Sequence, residues 1–264
     1  MKYIDVSEHQ GLIDWEKVKP HIDGAILRAG YGRGTVDKQF YRNASECNRL
    51  DIPCGAYWFS YAYTPEMALN ESKAFLEIIS NSRMELPLAW DFEYDSVSYA
   101  SGHTTVTREL VQSMATAFCE AIENAKYYCM LYANPDFINR YFGELAGGRF
   151  DLWLASWPNN VDVKKPPRKC GIWQWGASSV PGINGSVDTN ESYRDYKAMI
   201  AQVGLNNPPP PRPWYADAQE WARENGIADG ERPEDPATRA EVWTMLHNYS
   251  QRYCGPRYSG LIDD

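Results

Sequence analysis

The residues best suited to chemistry close the stretch LPLAWDFEYD, Leu86 to Asp95. The apolar run Leu86-Pro87-Leu88-Ala89-Trp90 reads as a buried strand, and it ends on Asp91, Glu93 and Asp95. Side chains alternate across a strand, so Asp91 and Glu93 point to one side, about 6.5–7 Å apart at the backbone. Like charges at the mouth of an apolar strand are costly to desolvate. A cap, an ion pair or a solvated strand end is therefore the ordinary reading of a lone Asp-x-Glu. Here Asp5 and Asp188 stand at the ends of the first and last strand-like runs, which are neighbours in a closed barrel. Four carboxylates then converge on one mouth, and capping alone does not account for that.

Such a cluster suits three chemistries. Metal binding uses hard oxygen ligands, but the six cysteines form no CxxC pair and the four histidines are dispersed, so neither a metal centre nor a cofactor is expected. Phosphoryl transfer needs basic residues or a phosphate loop, and GYGRG at 30–34 is better read as a βα turn. Glycoside hydrolysis needs one protonated carboxylic acid, a second carboxylate and rings to hold the sugar. With 10 Trp, 18 Tyr and 8 Phe, only this third chemistry uses both the acids and the aromatics. Burial and the Asp91 charge are expected to keep Glu93 protonated as general acid, while Asp91 stays ionised and stabilises positive charge. The spacing leaves retention, inversion and attack by the substrate's own 2-acetamido group open.

The elements that must position these acids follow from periodicity. Strand-like runs fall at 2–7, 24–32, 53–61, 86–94, 127–134, 151–157, 170–176 and 186–190, with helical patterns at 37–50, 65–82 and 104–126. In the last of these, Val106, Leu110, Met114, Ala117, Phe118, Ala121 and Ile122 share a face. Eight strands interleaved with helices predict an α/β fold, a closed (β/α)8 TIM-like barrel. The connections at 158–169 and 177–185 are too short and too rich in Pro, Gly and Asn for full helices, so the last third is degenerate. Polar and aromatic residues gather at the strand ends: Asp5, Tyr31, Tyr61, Asp91, Glu93, Asn134, Trp157, Gln174, Trp175 and Asp188. In such a barrel these ends share the face that carries the active site. Tyr31, Tyr61, Asn134 and Trp157 are accordingly candidate substrate contacts.

The formal charge of −9 over 264 residues argues against a nucleic-acid partner held through phosphates. No stretch approaches the roughly 20 apolar residues of a membrane span. The opening MKYIDVSEHQ enters a strand pattern at once and reads as no secretory leader. After Ala201 the composition changes. The run 206–213 (NNPPPPRP) is a stiff polyproline-like linker, separating a barrel at 1–205 from a small all-α module at 214–264. Two short helices are expected there, Ala216–Asn225 and Thr238–Tyr249, the second opened by the capping box Thr238-Arg239-Ala240-Glu241. About 50 residues without a staple is small for an independent core.

Several motifs, in order, resemble glycoside hydrolase family 25: Asp5-Val6-Ser7 with Gln10-Gly11 and Ile13-Asp14-Trp15, Arg28-Ala29-Gly30-Tyr31-Gly32, Gly55-Ala56-Tyr57, Asp91-Phe92-Glu93, Trp173-Gln174-Trp175 and Val187-Asp188-Thr189-Asn190. The resemblance spans about residues 1–197. It implies a lysozyme that cuts the β-1,4 bond after N-acetylmuramic acid in peptidoglycan glycan strands. Glu93 is then the catalytic acid, Asp91, Asp5 and Asp188 the supporting carboxylates, and Tyr57 and Gln174 substrate-contacting positions. Without a leader the implied setting is that of an endolysin, made in the cytosol and released to the wall. A glycosidase of other specificity, such as a chitinase or glucosaminidase, and a non-catalytic wall-binding protein are the rival readings.

The tail resembles one S-layer homology motif through Trp214-Tyr215-Ala216-Asp217-Ala218, Trp221-Ala222, Asn225-Gly226-Ile227-Ala228-Asp229-Gly230 and Thr238-Arg239-Ala240-Glu241. Such modules bind secondary wall polymers, usually as three tandem copies. One copy implies association of several chains, three in the simplest case, with Arg239 as the contact to an anionic polymer. Six basic residues against ten acidic ones from 206 to 264 make any such contact local.

Overall fold

The computed structural model describes residues 1–158, 165–206, 216–229, 231 and 236–253. The proline run of the linker, Trp214, Tyr215 and Gly230 lie outside the described residues. Two compact units, Met1–Pro210 and Pro211–Asp264, are each taken by themselves.

The first unit is built on nine strands: β1 (Lys2–Val6), β2 (Gly24–Tyr31), β3 (Thr35–Val36), β4 (Cys54–Phe59), β5 (Leu88–Asp91), β6 (Cys129–Ala133), β7 (Asp151–Ala155), β8 (Ile172–Ser178) and β9 (Val187–Ser192). Eight of them close into a barrel in the order β1-β9-β8-β7-β6-β5-β4-β2, with β2 pairing back onto β1. The ninth, β3, is a two-residue antiparallel addition to β2. The helices of this unit are α1 (Trp15–Val18), α2 (Phe40–Arg49), α3 (Pro65–Ile79), α4 (Tyr94–Ser101), α5 (Arg108–Asn124), α6 (Pro135–Phe137) and α7 (Tyr196–Gln202). Among the described residues no helix joins β7 to β8 or β8 to β9, which is the degenerate last third expected of the barrel.

Local chemistry sets these elements. Thr64 caps α3 through the Met67 N–H, with Pro65 in the first turn, and Thr107 caps α5 through the Leu110 N–H. The α5 stripe that faces the core is Val111, Met114, Ala115, Phe118, Cys119 and Ile122. It keeps Met114, Phe118 and Ile122 of the expected face, but Ala117 and Ala121 sit at its edge. Phe118 stacks on Phe75 of α3 at 6.0 Å, tying the two longest helices of this unit together against the barrel wall.

Two local expectations are corrected and one element was missed. The final strand β9 runs antiparallel to both β1 and β8, because a short turn rather than a crossover helix precedes it. Its first residues, not its last, therefore lie at the carboxyl end of the barrel. The strand expected over 86–94 stops at Asp91, and Tyr94 already opens α4. The strand β3 had no signal beyond its two residues.

The second unit contains α8 (Ala216–Glu224) and α9 (Arg239–Tyr253). The expected capping box is present: Glu241 Oε2 accepts from the Thr238 N–H at 2.7 Å, and Thr238 Oγ1 from the Glu241 N–H at 3.2 Å. Trp221, Tyr249 and Tyr253 cluster, with Trp221 and Tyr253 rings 5.9 Å apart.

Candidate functional site

Side-chain parity brings the acids inward. On β1, Ile4 and Val6 join the core beneath the helices while Tyr3 joins the barrel interior, so Asp5 points inward above it. On β5, Leu88 and Trp90 face the helices and Ala89 the interior, which turns Asp91 inward as well. Across the β1–β9 pair Asp5 lies opposite Asp188. Because β9 runs backwards, Asp188 reaches the mouth from the start of its strand. Glu93 follows two residues after the end of β5 as the N-cap of α4, in extended backbone, and its N–H is held by Ser96 Oγ at 3.1 Å.

Gln174 organises the floor of this mouth. Its Oε1 accepts from Tyr132 Oη at 3.0 Å and from Trp157 Nε1 at 3.2 Å. These two donors fix the amide so that Nε2 faces acids, donating to Asp5 Oδ2 at 3.1 Å and Asp188 Oδ2 at 3.4 Å. Asn190 Nδ2 donates to the same Asp5 oxygen at 2.8 Å, and Asn190 is itself oriented by Trp153 Nε1 at 2.7 Å. Asp5 is thus held by neutral amides. Arg28, the cation that bears on Asp91, is engaged by Asp37 at 2.8 Å and Glu8 at 3.1 Å. Asp91 Oδ1 is buried with no hydrogen-bond partner among the described residues.

The electrostatics follow from that burial. Desolvation first, then the Asp188 charge, pushes Asp5 up to about 7. Asp91 is raised well above the carboxylate range by its burial, by Glu93 and by Asp5. Glu93 is pushed up to about 6, by burial and by Asp95 and Asp188; burial also raises Asp188. Burial does not favour the expected division into an ionised Asp91 and a protonated Glu93. Asp91 is the deeper group and, before a substrate arrives, competes for the same proton. Burial and nearby carboxylates also raise Tyr57 and Tyr132, which stay neutral donors.

This arrangement makes stability depend on pH. Asp5, at about 7, and Glu71, raised by burial to about 8, bind protons more tightly in the folded chain than when unfolded. From the ordinary carboxylate range up to pH 7 and 8 the folded chain holds protons that the unfolded chain has already lost, so their contribution to stability falls as pH rises across that range and is fully lost above it. The melting temperature is expected to rise by roughly 5–10 °C from pH 8 to pH 5. Differential scanning fluorimetry checks this; a flat or opposite trend would contradict the protonated cluster.

The other candidates separate. Tyr57 packs edge-on against Trp153 at 5.9 Å inside the mouth. Trp157 is 54% exposed at the rim above Gln174. The Tyr31 ring lies 5.4 Å from the Arg28 guanidinium, and Tyr61 feels the charges of Asp91 and Asp95. Asn134 instead caps α6, its Oδ1 accepting from the Phe137 N–H at 2.9 Å. Arg239 is exposed at the start of α9 in the second unit. Asn190, Tyr132 and Trp153 were missed as site residues. Their inward parity on β9, β6 and β7 was the available signal.

The family model for glycosyl hydrolases family 25 matches residues 4–183. The match ends before Asp188, whose place beside Asp5 is given by strand pairing. Among solved structures, the autolysin LytC from Streptococcus pneumoniae, in complex with a synthetic peptidoglycan ligand, is 28% identical with a TM-score of 0.61. The match covers 72% of this chain but only 46% of LytC. A family 25 glycosyl hydrolase from Bacillus anthracis is 25% identical with a TM-score of 0.62, covering 76% of this chain and 92% of its own. The CTP1L endolysin shares the fold at a TM-score of 0.64 and 23% identity, over 76% and 69% of the two chains. No curated protein sequence matches the chain.

Proposed function

The chain belongs to the glycosyl hydrolases of family 25, a family of glycosidases, and we propose that it hydrolyses bacterial peptidoglycan at the β-1,4 bond following N-acetylmuramic acid, with Glu93 as general acid. The observation that carries this is the convergence of Asp5, Asp91, Glu93 and Asp188 on one barrel mouth, with Glu93 at about 6. Glu93 then holds a transferable proton near neutrality and sits on the rim, where a glycosidic oxygen can reach it.

In the proposed reaction Glu93 gives its proton to the glycosidic oxygen as the C1–O bond breaks. The carbon takes electron density from the 2-acetamido carbonyl oxygen or directly from water. Water completes the addition at C1, and its proton returns to Glu93. Asp91 Oδ1, without a partner among the described residues, supports a role in holding the acetamido N–H, and an ionised Asp91 stabilises the positive charge that develops. Asp188 supplies negative charge behind it, while Asp5, tied to Asp188 through Gln174 and held by Asn190, shapes the site through these hydrogen bonds. Tyr57, Tyr31, Tyr61 and Trp157 are proposed to line the sugar path. Gln174 acts mainly by orienting acids, and Asn134 by capping α6.

Digestion of purified peptidoglycan, reduction with borohydride and mass spectrometry test the bond assignment. New muramitol ends are expected. Glucosaminitol ends would move the cut to the other linkage, and no new ends on walls susceptible to another muramidase would favour the non-catalytic reading.

No described helix is long and apolar enough to cross a membrane, and we propose an endolysin-like site of action at the wall. The tail is proposed to be a single S-layer-homology-like module that associates chains and contacts wall polymer near Arg239. Its two helices and capping box support this. Sedimentation of the full chain and of residues 1–205 should differ in oligomeric state; two monomers would end the association proposal.

A further inference from the structure

Glu71 lies on α3, and nothing in the proposed reaction uses it. It is 3% exposed, and among the described residues no cation pairs with it. Its oxygens instead take two neutral donors from the turn after β4. Ser60 Oγ donates to Oε2 at 2.5 Å, and the Tyr61 N–H donates to Oε1 at 3.0 Å. Ser60 Oγ accepts in turn from the Ala62 N–H at 3.1 Å. A buried carboxylate with only neutral donors costs stability, and burial pushes this one up to about 8. A hydrophobic residue at this helical position would serve the core better, so the carboxylate has another use.

That use is visible in the turn itself. The Ser60 N–H continues the β4–β5 ladder by donating to the Asp91 carbonyl at 2.8 Å. The Tyr61 N–H lies one residue beyond the ladder and goes to Glu71. The Tyr61 ring stands beside the carboxylate mouth, 5.3 Å from both Phe59 and Tyr99. On its other side is Gly32, where a Cβ would approach Tyr61 Cδ2 to 3.3 Å. The backbone near Asp91 is therefore anchored by the sheet, whereas the seat of Tyr61 depends on α3.

We propose that Glu71 is a positioning residue for substrate binding, clamping the Ser60–Ala62 turn so that Tyr61 presents its ring to a sugar of the glycan strand. The inference rests on the glycan-strand reading above. It places the effect of Glu71 on binding rather than on bond cleavage, because the ladder holds Asp91 without it. Glu71→Leu fills the same space and supplies neither acceptor, whereas Gln would copy the hydrogen bonds of a protonated carboxyl.

The test is a double-mutant cycle in the full chain, using Glu71→Leu, Tyr61→Ala and both together, with solubilised glycan strands as substrate. Each single change is expected to raise KM by about five- to tenfold, the scale of one lost hydrogen bond or ring contact, with kcat within about twofold. The double variant is expected to match Tyr61→Ala within about twofold, since Glu71 acts through that ring. Multiplying KM effects, or a loss confined to kcat, would overturn the proposal. Should Glu71→Leu fail to fold, Ser60→Ala removes one of the two donors and is put through the same cycle with the same criteria. Absence of glycan cleavage by the unsubstituted chain would sink the substrate reading and this one together. Cleavage with independent effects would sink this one alone.

Discussion

Glu93→Gln is expected to lower kcat on peptidoglycan by roughly 10³-fold while moving the melting temperature by only about 2 °C at pH 6. Gln keeps the shape of the side chain and leaves the Glu93 N–H bond to Ser96 in place, so the start of α4 should persist. What is lost is a proton that can be given to the leaving oxygen. Because burial, Asp95 and Asp188 hold Glu93 at about 6, the unsubstituted enzyme should lose kcat as pH rises through that value. The residual rate of the variant should show no such limb. Kinetics on purified walls across pH 4.5–8, set beside circular dichroism, check both parts. A folded Gln variant with near-normal rate would remove Glu93 from the acid role.

Asp91→Asn should separate function from stability in the opposite sense. The carboxyl is 5% exposed, lacks a partner for Oδ1 among the described residues and is raised by burial, Glu93 and Asp5. Its folded pKa lies above its unfolded one, so ionising it in the native state destabilises the fold as pH rises. The neutral amide removes that conflict. The variant is expected to melt several degrees higher than the parent at pH 8 and to show little difference at pH 4.5, where the parent's Asp91 is protonated. Activity should fall by about 10²-fold, the scale of removing one charge-stabilising group from a dry site. Thermal melts at both pH values and initial rates decide it. Lower stability at pH 8, or full activity, would show that the carboxylate is not the strained functional group its burial implies.

These two expectations rest on unequal shares of sequence and structure. The run Leu86–Trp90 ending on Asp91 was legible as a buried strand because an apolar run with alternating acids has few other solutions. The other seven barrel strands were legible as short apolar or alternating runs bounded by turn residues, and the absence of helices around β8 among the described residues agrees with the length and composition of its connections. The capping box at Thr238 and Glu241 was equally local, since it depends on a four-residue spacing.

The direction of β9 was not legible. A short strand after a turn has the same period either way, and only its pairing to β1 and β8 shows that Asp188 enters the mouth from its first residues. Nor could spacing reveal that Glu93 leaves the strand to cap α4, because propensity does not fix where a strand yields to a helix. Above all, the sequence supplied the identity of the acids but not the order of their proton affinities. That order depends on how far each is removed from water and on what faces it. Asp5 meets two amides, Glu93 sits at the rim, and Asp91 lies buried with one oxygen unpaired among the described residues. Residue types and local pattern named the chemistry; burial and long-range pairing, which only the closed barrel creates, decided where the protons sit.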